Sequence, residues 1–194
     1  MTAPLARPSG QAGLTMLEVL VTIVILAFGL LGVAGLQARV QLAEIESYQR
    51  AQAIVLLEDM VARLNANRKH AMSYATATPR GTGNNLEDCS GLTGADLDLC
   101  EWNNALLGAS ESAGGAQRGA MIGARGCITN TAATMPREFL VAVVWQGITP
   151  TVAPGGTTCG QDEYGNDATR RAVVARVKIG CLQNDPSTGL CVTP

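Results

Sequence analysis

Apolar and polar residues alternate along this chain in three different regimes. From Leu14 to Leu36 the run is LTMLEVLVTIVILAFGLLGVAGL, apolar almost without interruption, with Glu18 its single ionisable side chain. A helix rising about 1.5 Å per residue would extend this run to about 35 Å, enough to cross a hydrocarbon core of about 30 Å. Beyond Leu36 no proline occurs before Pro79 and no glycine before Gly81, and good helix formers dominate. The helix is therefore expected to continue to about Lys69, with Ile54, Leu57, Val61 and Leu64 as the stripe that buries one face. Glu46 with Arg50 and Asp59 with Arg63 stand four residues apart, acid first, the order that supports a helix by a few tenths of a kcal/mol per pair. The third regime has period two. Gly126 to Thr129, Glu138 to Gln146 and Arg171 to Leu182 are rich in β-branched or aromatic residues, and in the last of them Val173, Ala175, Val177 and Ile179 share one face.

Between these regimes the pattern is mixed. Thr93-Gly94-Ala95-Asp96 is an N-cap pattern opening a short helix near 94–107, which would carry Leu99, Trp102, Leu106 and Leu107 and stop at Gly108. Trp102, with apolar helical neighbours, is expected as a core anchor. Residues 108–120, with Gly114-Gly115 in the middle, read as a mobile loop. The fold class that results is α+β: a long N-terminal helix, apolar in its first half, with its amphipathic second half packed on a small C-terminal antiparallel sheet. The division along the chain is 1–13 as a leader, 14–36 as the membrane-spanning half of the helix, 37–70 as its amphipathic half and 71–194 as the globular part.

The leader, MTAPLARPSGQAG, has two prolines, two glycines and one charge, a composition that neither packs a core nor propagates a helix. An ordinary secretory signal would have an apolar region of about 7 to 15 residues, shorter than the one here. A lipoprotein signal is excluded, because no cysteine precedes Cys89. Glu18 is the anomaly of the span. A carboxylate at the bilayer centre costs about 2.5 to 3.5 kcal/mol, so it calls for a partner or a task, although its place near one end lowers that cost. Gly29, Gly32 and Gly35 each weaken a helix by about 1 kcal/mol relative to alanine. They fit either close helix packing or a segment that unwinds when the helix changes environment, and both readings stay open.

Charge and cysteine usage narrow the classes. Fourteen basic and 16 acidic residues give a net charge of −2, with no basic cluster, so nothing points to nucleic acid. All six cysteines, Cys89, Cys100, Cys127, Cys159, Cys181 and Cys191, follow the span, which points to disulfides in an oxidising compartment beyond the membrane. Cys89 and Cys100 close a short loop and are the expected pair; the other four can pair in three ways. The spacings of a zinc site are missing, and the sole histidine, His70, is far in sequence from any cysteine. At the end of the long helix it is expected to serve the helix dipole. Asp162, Glu163, Asn166 and Asp167 could gather oxygens around calcium, but their spacing matches no EF-hand loop, and a solvated turn is the simpler reading. No nucleophile and base pair or phosphate-binding motif is visible, so neither an enzyme nor a cofactor is expected.

The stretch Gly13-Leu14-Thr15-Met16-Leu17-Glu18-Val19-Leu20 resembles the prepilin motif of the type IV pilin superfamily, with Leu14 in place of the usual phenylalanine and Met16 at a common leucine position. AFGLLGVAGLQ (27–37), RGCIT (125–129), VVWQGITPTVAP (143–154), CGQDEYG (159–165) and RRAVVARVKIGC (170–181) resemble the minor pilins of the PilV type, the type IV pilus modification proteins. The resemblance implies the pilin fold, cleavage by a prepilin peptidase between Gly13 and Leu14, and N-methylation of Leu14. It also implies that Glu18 pairs with the N-terminal amine of a neighbouring subunit. The partners implied are other minor pilins and the major pilin, the inner-membrane assembly machinery and a tip adhesin. The location implied is the inner membrane with a periplasmic domain, and then the extracellular pilus. A minor pseudopilin of type II secretion shares the leader, Glu18 and the architecture. A bitopic anchored binding or sensor protein is the alternative of another class; it would keep its leader uncut and leaves Glu18 unexplained.

Overall fold

The computed structural model describes residues 15–108, 112–113, 116–117, 121–132, 134, 136–184, 186 and 191–193. The α+β architecture is a long N-terminal helix, apolar at its start, and a small four-stranded antiparallel sheet, the arrangement of the pilin fold. Helix α1 covers Met16–Ala66. The chain divides into two compact units, Met1–Ala43 and Glu44–Pro194, and α1 contributes residues to both. The helix ends three residues short of the expected Lys69. A 3-10 segment, Arg68–Tyr74, takes over, and His70 inside it has φ −107°, outside the helical range.

In the second unit α1 buries Gln49, Ala53, Leu57, Met60 and Leu64, spaced by four, four, three and four residues. This is a helical stripe, but its phase differs from the expected one. Leu57 and Leu64 are buried as expected and Val61 packs against the core, whereas Ile54 is exposed and Ala53 is buried in its stead. The sheet has the order β1-β4-β5-β6, with β1 Arg80–Gly81, β4 Arg125–Ala132, β5 Arg137–Gln146 and β6 Arg170–Ile179, all neighbours antiparallel. Two further antiparallel pairs lie outside this sheet: β2 (Ser112–Ala113) with β3 (Ala116–Gln117), and β7 (Gln183–Asn184) with β8 (Cys191–Thr193). Residues 109–111, 114–115 and 118–120 of the expected loop 108–120 lie outside the described ones.

Strand alternation sorts the two faces of the sheet. Phe139, Val141, Val143 and Trp145 of β5 join Val177 and Ile179 of β6 and the α1 stripe in the main core, and Val173 and Ala175 pack against it. Ala142 and Val144 point the other way. They are buried with Cys159 and Tyr164, against the Cys127–Cys159 disulfide, so part of the outer face is covered rather than solvated.

That cover is the connection between β5 and β6, and buried Arg170 holds it. Its guanidinium donates to both carboxylate oxygens of Asp167, at 2.6 and 2.9 Å, and to the carbonyls of Thr157, Cys159 and Pro154. A buried charge is tolerated only when paired and fully hydrogen-bonded, and this one is. The same contact holds the Asp167 carboxyl below its usual range. The Tyr164 hydroxyl donates to the Gly123 carbonyl at 2.8 Å, and the Arg125 guanidinium lies 5.1 Å from the centre of the Tyr164 ring.

Helix α2, Gly94–Leu106, supplies Leu99, Trp102 and Leu106 to the core. Thr93 holds the N-cap position but makes no side-chain cap bond, and Gly108, at φ +78°, follows the last turn. Asp59 and Arg63 do pair along α1, and Arg63 also reaches Asp98 and Glu101 of α2. Burial lowers the affinity of Arg63 for its proton, but Glu101, Asp98 and Asp59 together outweigh it and raise the pKa. The Tyr74 hydroxyl donates to Asp98, and burial together with that carboxylate pushes Tyr74 up to about 12.

Trp102 sits where α1, α2 and the sheet converge. It is fully buried and donates its indole N–H to the Leu56 carbonyl of α1 at 2.9 Å. Its ring lies over Gly126 of β4. A Cβ there would meet Cη2 first, then Cζ3 at 2.6 Å and Cζ2 at 2.7 Å, closer than real Cβ contacts come. Gly81 is required for a different reason: its φ is +94°, and an added Cβ would approach the Ala124 carbonyl oxygen at 2.5 Å.

The expected Glu46–Arg50 pair does not form. Glu46 Oε1 instead accepts from the amides of Ile148 and Thr149 at 3.2 and 3.4 Å, from Thr149 Oγ1 at 3.3 Å and from Arg171 at 3.4 Å. Two backbone donors and a guanidinium together displace a single exposed i,i+4 partner, whose own value is only about 0.3 to 0.5 kcal/mol. Burial raises the Glu46 pKa, but Thr149, Arg171 and Ile148 outweigh it and hold the carboxyl below its usual range.

Two outcomes follow from this packing. Gly126→Ala lowers the stability of the folded domain by about 1 to 3 kcal/mol, read by denaturant unfolding of the full chain in detergent. Combining it with Trp102→Leu makes the loss smaller than the sum of the two single losses, because the smaller side chain vacates the space the new methyl needs. Glu46 has a folded pKa below its unfolded value, so its stabilisation is present above the ordinary carboxylate range and is lost as pH falls through the depressed folded value. The stability gap between wild type and Glu46→Gln is therefore full at pH 7 and closes on acidification, measured by unfolding across pH 3 to 7 (a range set about the carboxylate pKa).

Candidate functional site

The chemistry anticipated for the N-terminal segment rests on α1 and the residues before it. Gly13 and Leu14, the expected processing and methylation pair, lie outside the described residues, as does the whole 1–13 leader. The first described residue, Thr15, precedes α1 and stands at its N-cap. The Glu18 amide donates to the Thr15 carbonyl at 3.0 Å and lies 3.3 Å from Thr15 Oγ1, and the Val19 amide reaches the same carbonyl at 3.3 Å. Thr15-x-x-Glu18 is thus the spacing of a capping box, with the hydroxyl half of that motif in place. This signal is present in the sequence, three residues apart, but the apolar run around it hides it.

Glu18 consequently occupies the first turn of the helix, where the unsatisfied N–H groups and the helix dipole favour a negative charge by about 0.3 to 1 kcal/mol at an exposed site. The side chain is exposed and has no ion-pair partner among the described residues. Around it Met16, Leu17, Val19, Leu20 and Val21 are exposed as well, and the exposure of large apolar side chains continues to Leu36. An 18-residue window in this helix has mean hydropathy 2.7 and none of it is buried, so by length and composition the helix can cross a membrane. Its few polar groups are accommodated locally: Thr22 Oγ1 donates to the Val19 carbonyl at 2.8 Å. Gly29, Gly32 and Gly35 lie within the uninterrupted helix, and a Cβ added at any of them would meet nothing within 4 Å. The space beside all three is open.

Away from this segment, the cysteines are engaged. Cys89 is bonded to Cys100 with Cα atoms 5.8 Å apart, and Cys127 to Cys159 with Cα atoms 5.9 Å apart. Cys181 is disulfide-bonded too, and Cys191 lies in β8 opposite Asn184. The Cys127–Cys159 bond joins β4 to the connection between β5 and β6, a pairing that sequence spacing left open. The acidic group at 162–167 is divided between separate partners. Asp167 is taken by Arg170, Glu163 by Arg125 at 3.1 Å, and Asn166 Oδ1 accepts from the Ala168 amide. His70 faces Asn67 Oδ1 at 2.9 Å through Nδ1.

The N-terminal arrangement offers a surface for association with an apolar environment. It presents an exposed apolar cylinder with one carboxylate in its first turn, and no second titratable group stands beside that carboxylate among the described residues. No curated protein and no solved structure matches the chain. A family model, the prokaryotic N-terminal methylation motif, matches residues 8–34, a segment that contains Gly13, Leu14, Glu18, Gly29 and Gly32. This match, together with a helix long and apolar enough to cross a membrane, fits the N-terminal signal of type IV pilin-like and pseudopilin proteins.

Proposed function

We propose that the chain is a minor pilin of a type IV pilus, of the PilV type. The observation that carries the reading is the exposed apolar helix with a lone carboxylate in its first turn, inside the segment that matches the methylation motif. On this reading a prepilin peptidase cuts between Gly13 and Leu14 and Leu14 is N-methylated, which leaves a cationic amine at the start of the span. The amine of one subunit and Glu18 of the next form a charge-assisted pair when the helix leaves lipid and enters a filament. Gly29, Gly32 and Gly35 give neighbouring helices room to approach closely or let the segment unwind on transfer.

The protein is then held in the inner membrane with residues 37–194 in the periplasm. There it joins other minor pilins to prime or cap the filament of major pilin, with the inner-membrane assembly machinery and a tip adhesin as further partners. Disulfides at Cys89–Cys100 and Cys127–Cys159 support an oxidising compartment for the globular part. A minor pseudopilin of type II secretion draws on the same N-terminal observations. The segments 143–154 and 170–181, with their likeness to minor pilins, favour the pilus.

Mass spectrometry of the mature chain is expected to find its first residue to be methylated Leu14; a chain that retains Arg7 sinks the reading. Glu18→Ala is expected to insert in the membrane at the wild-type level yet to be missing from sheared pili, measured by immunoblotting of membrane and filament fractions. Incorporation at the wild-type level would remove the role given to Glu18.

A further inference from the structure

Arg50 lies one turn beyond Glu46 on α1, the spacing that would ordinarily neutralise it. Glu46 is turned instead toward Ile148, Thr149 and Arg171, and Arg50 is left exposed with no hydrogen-bond or ion-pair partner among the described residues. It is not simply a solvated surface cation. Arg50 lines a cavity of about 320 Å³ together with Glu46, Ser47, Trp145, Arg171 and Ala172. Trp145, 3% exposed, supplies apolar wall, Ala172 borders the cavity with its side chain packed on the outer face of the sheet, and Ser47 adds a hydroxyl with no described partner.

The charge in this cavity does not balance. The single carboxylate, Glu46, accepts from two amides, a hydroxyl and the Arg171 guanidinium, all through Oε1. Arg171 also donates to the carbonyls of Thr149 at 2.6 Å and Ala168 at 3.2 Å. Two guanidiniums against one carboxylate leave a net positive cavity, with Arg50 holding its full set of five donors. An anion is the complement. The apolar wall asks for a short aliphatic stem behind it, and the planar fork of an arginine matches a carboxylate in two parallel hydrogen bonds.

We propose that this cavity binds a carboxylate carried on a short aliphatic stem, with Arg50 as its principal ligand. The same chemistry is offered by a free dicarboxylic acid and by the glutamate side chain of a partner chain, and two probes separate these sources. Glutarate and the capped peptide acetyl-Gly-Glu-Gly-amide are titrated separately, at constant ionic strength, into the ¹⁵N-labelled full chain in detergent micelles. The indole N–H resonances of the two tryptophans are followed, and Trp145→Phe assigns them.

The expected result is a saturable shift of the Trp145 resonance with Trp102 unmoved, and an affinity lower by about tenfold or more in Arg50→Gln, the loss of one charge-assisted contact. A response to glutarate alone identifies a free acid as the ligand, and a response to the peptide identifies a chain-borne glutamate. The proposal is overturned if neither probe moves Trp145 up to about 50 mM, beyond the affinity expected of even a weak specific site. A shift of equal size and midpoint in Arg50→Gln overturns it as well. Arg50 is exposed and unpaired, so its replacement leaves the fold intact and the comparison interpretable.

Discussion

The packing of α1 on β5 is the contact on which the globular unit depends. Ala53, Leu57, Met60 and Leu64 form one side of it and Phe139, Val141, Val143 and Trp145 the other, and every one of these side chains is buried. Strand β5 lies between β4 and β6, so its register fixes both neighbours, and its outward residues Ala142 and Val144 set where the β5–β6 connection can settle. Helix α2 then closes the remaining side through Trp102. Its indole N–H is satisfied by a carbonyl of α1, and its ring needs the missing side chain of Gly126. A change at the α1–β5 contact would thus be felt at the sheet, the connection and α2 together, as expected of a core packed at crystal-like density.

Ion pairs play a secondary part, and they divide by how much water they exclude. Arg170 is buried and each of its bonds pins the connection, so removing it would take the ion pair from Asp167 and leave three carbonyls without their donor. Arg176 and Lys178, facing Glu138 across the sheet edge, are largely exposed, and pairs of that kind contribute at most about 1 kcal/mol. Arg63 is intermediate. It gathers three carboxylates from two helices, and its value is in fixing α2 against α1 rather than in net energy.

What was legible in the sequence was whatever depends on local period. The apolar run, the continuing helix, the short helix near 94–107 and the three main strands each announce themselves within a window of a dozen residues. The misjudged features depend on contacts between distant segments. Ala53 rather than Ile54 joins the core shared with β5, β6 and α2, and no window on α1 contains those partners. Glu46 abandons Arg50 because residues about a hundred positions away present two amides and a guanidinium. Arg170 looks, in sequence, like one more surface charge beside Arg171, yet the folded β5–β6 connection buries one and leaves the other partly open. The Thr15–Glu18 cap is a different kind of omission, a local signal obscured by the surrounding hydrophobicity.

The N-terminal part of α1 carries its own balance of forces. Fourteen large apolar side chains between Met16 and Leu36 are exposed, and burying each is worth about 1.5 kcal/mol or more. Against that sum one carboxylate, at about 2.5 to 3.5 kcal/mol even at the bilayer centre and less near an end, is a small term. Glu18 therefore does not decide whether the helix enters an apolar environment. Lipid and the packed helices of a filament are similarly apolar, so transfer between them nearly cancels the hydrophobic term and leaves the carboxylate as a much larger share of the difference. A fixed cation opposite Glu18 in one environment and none in the other is then enough to bias the choice. On the proposed reading, the hydrophobic run holds the protein in either place, and the single charge determines which of the two it prefers.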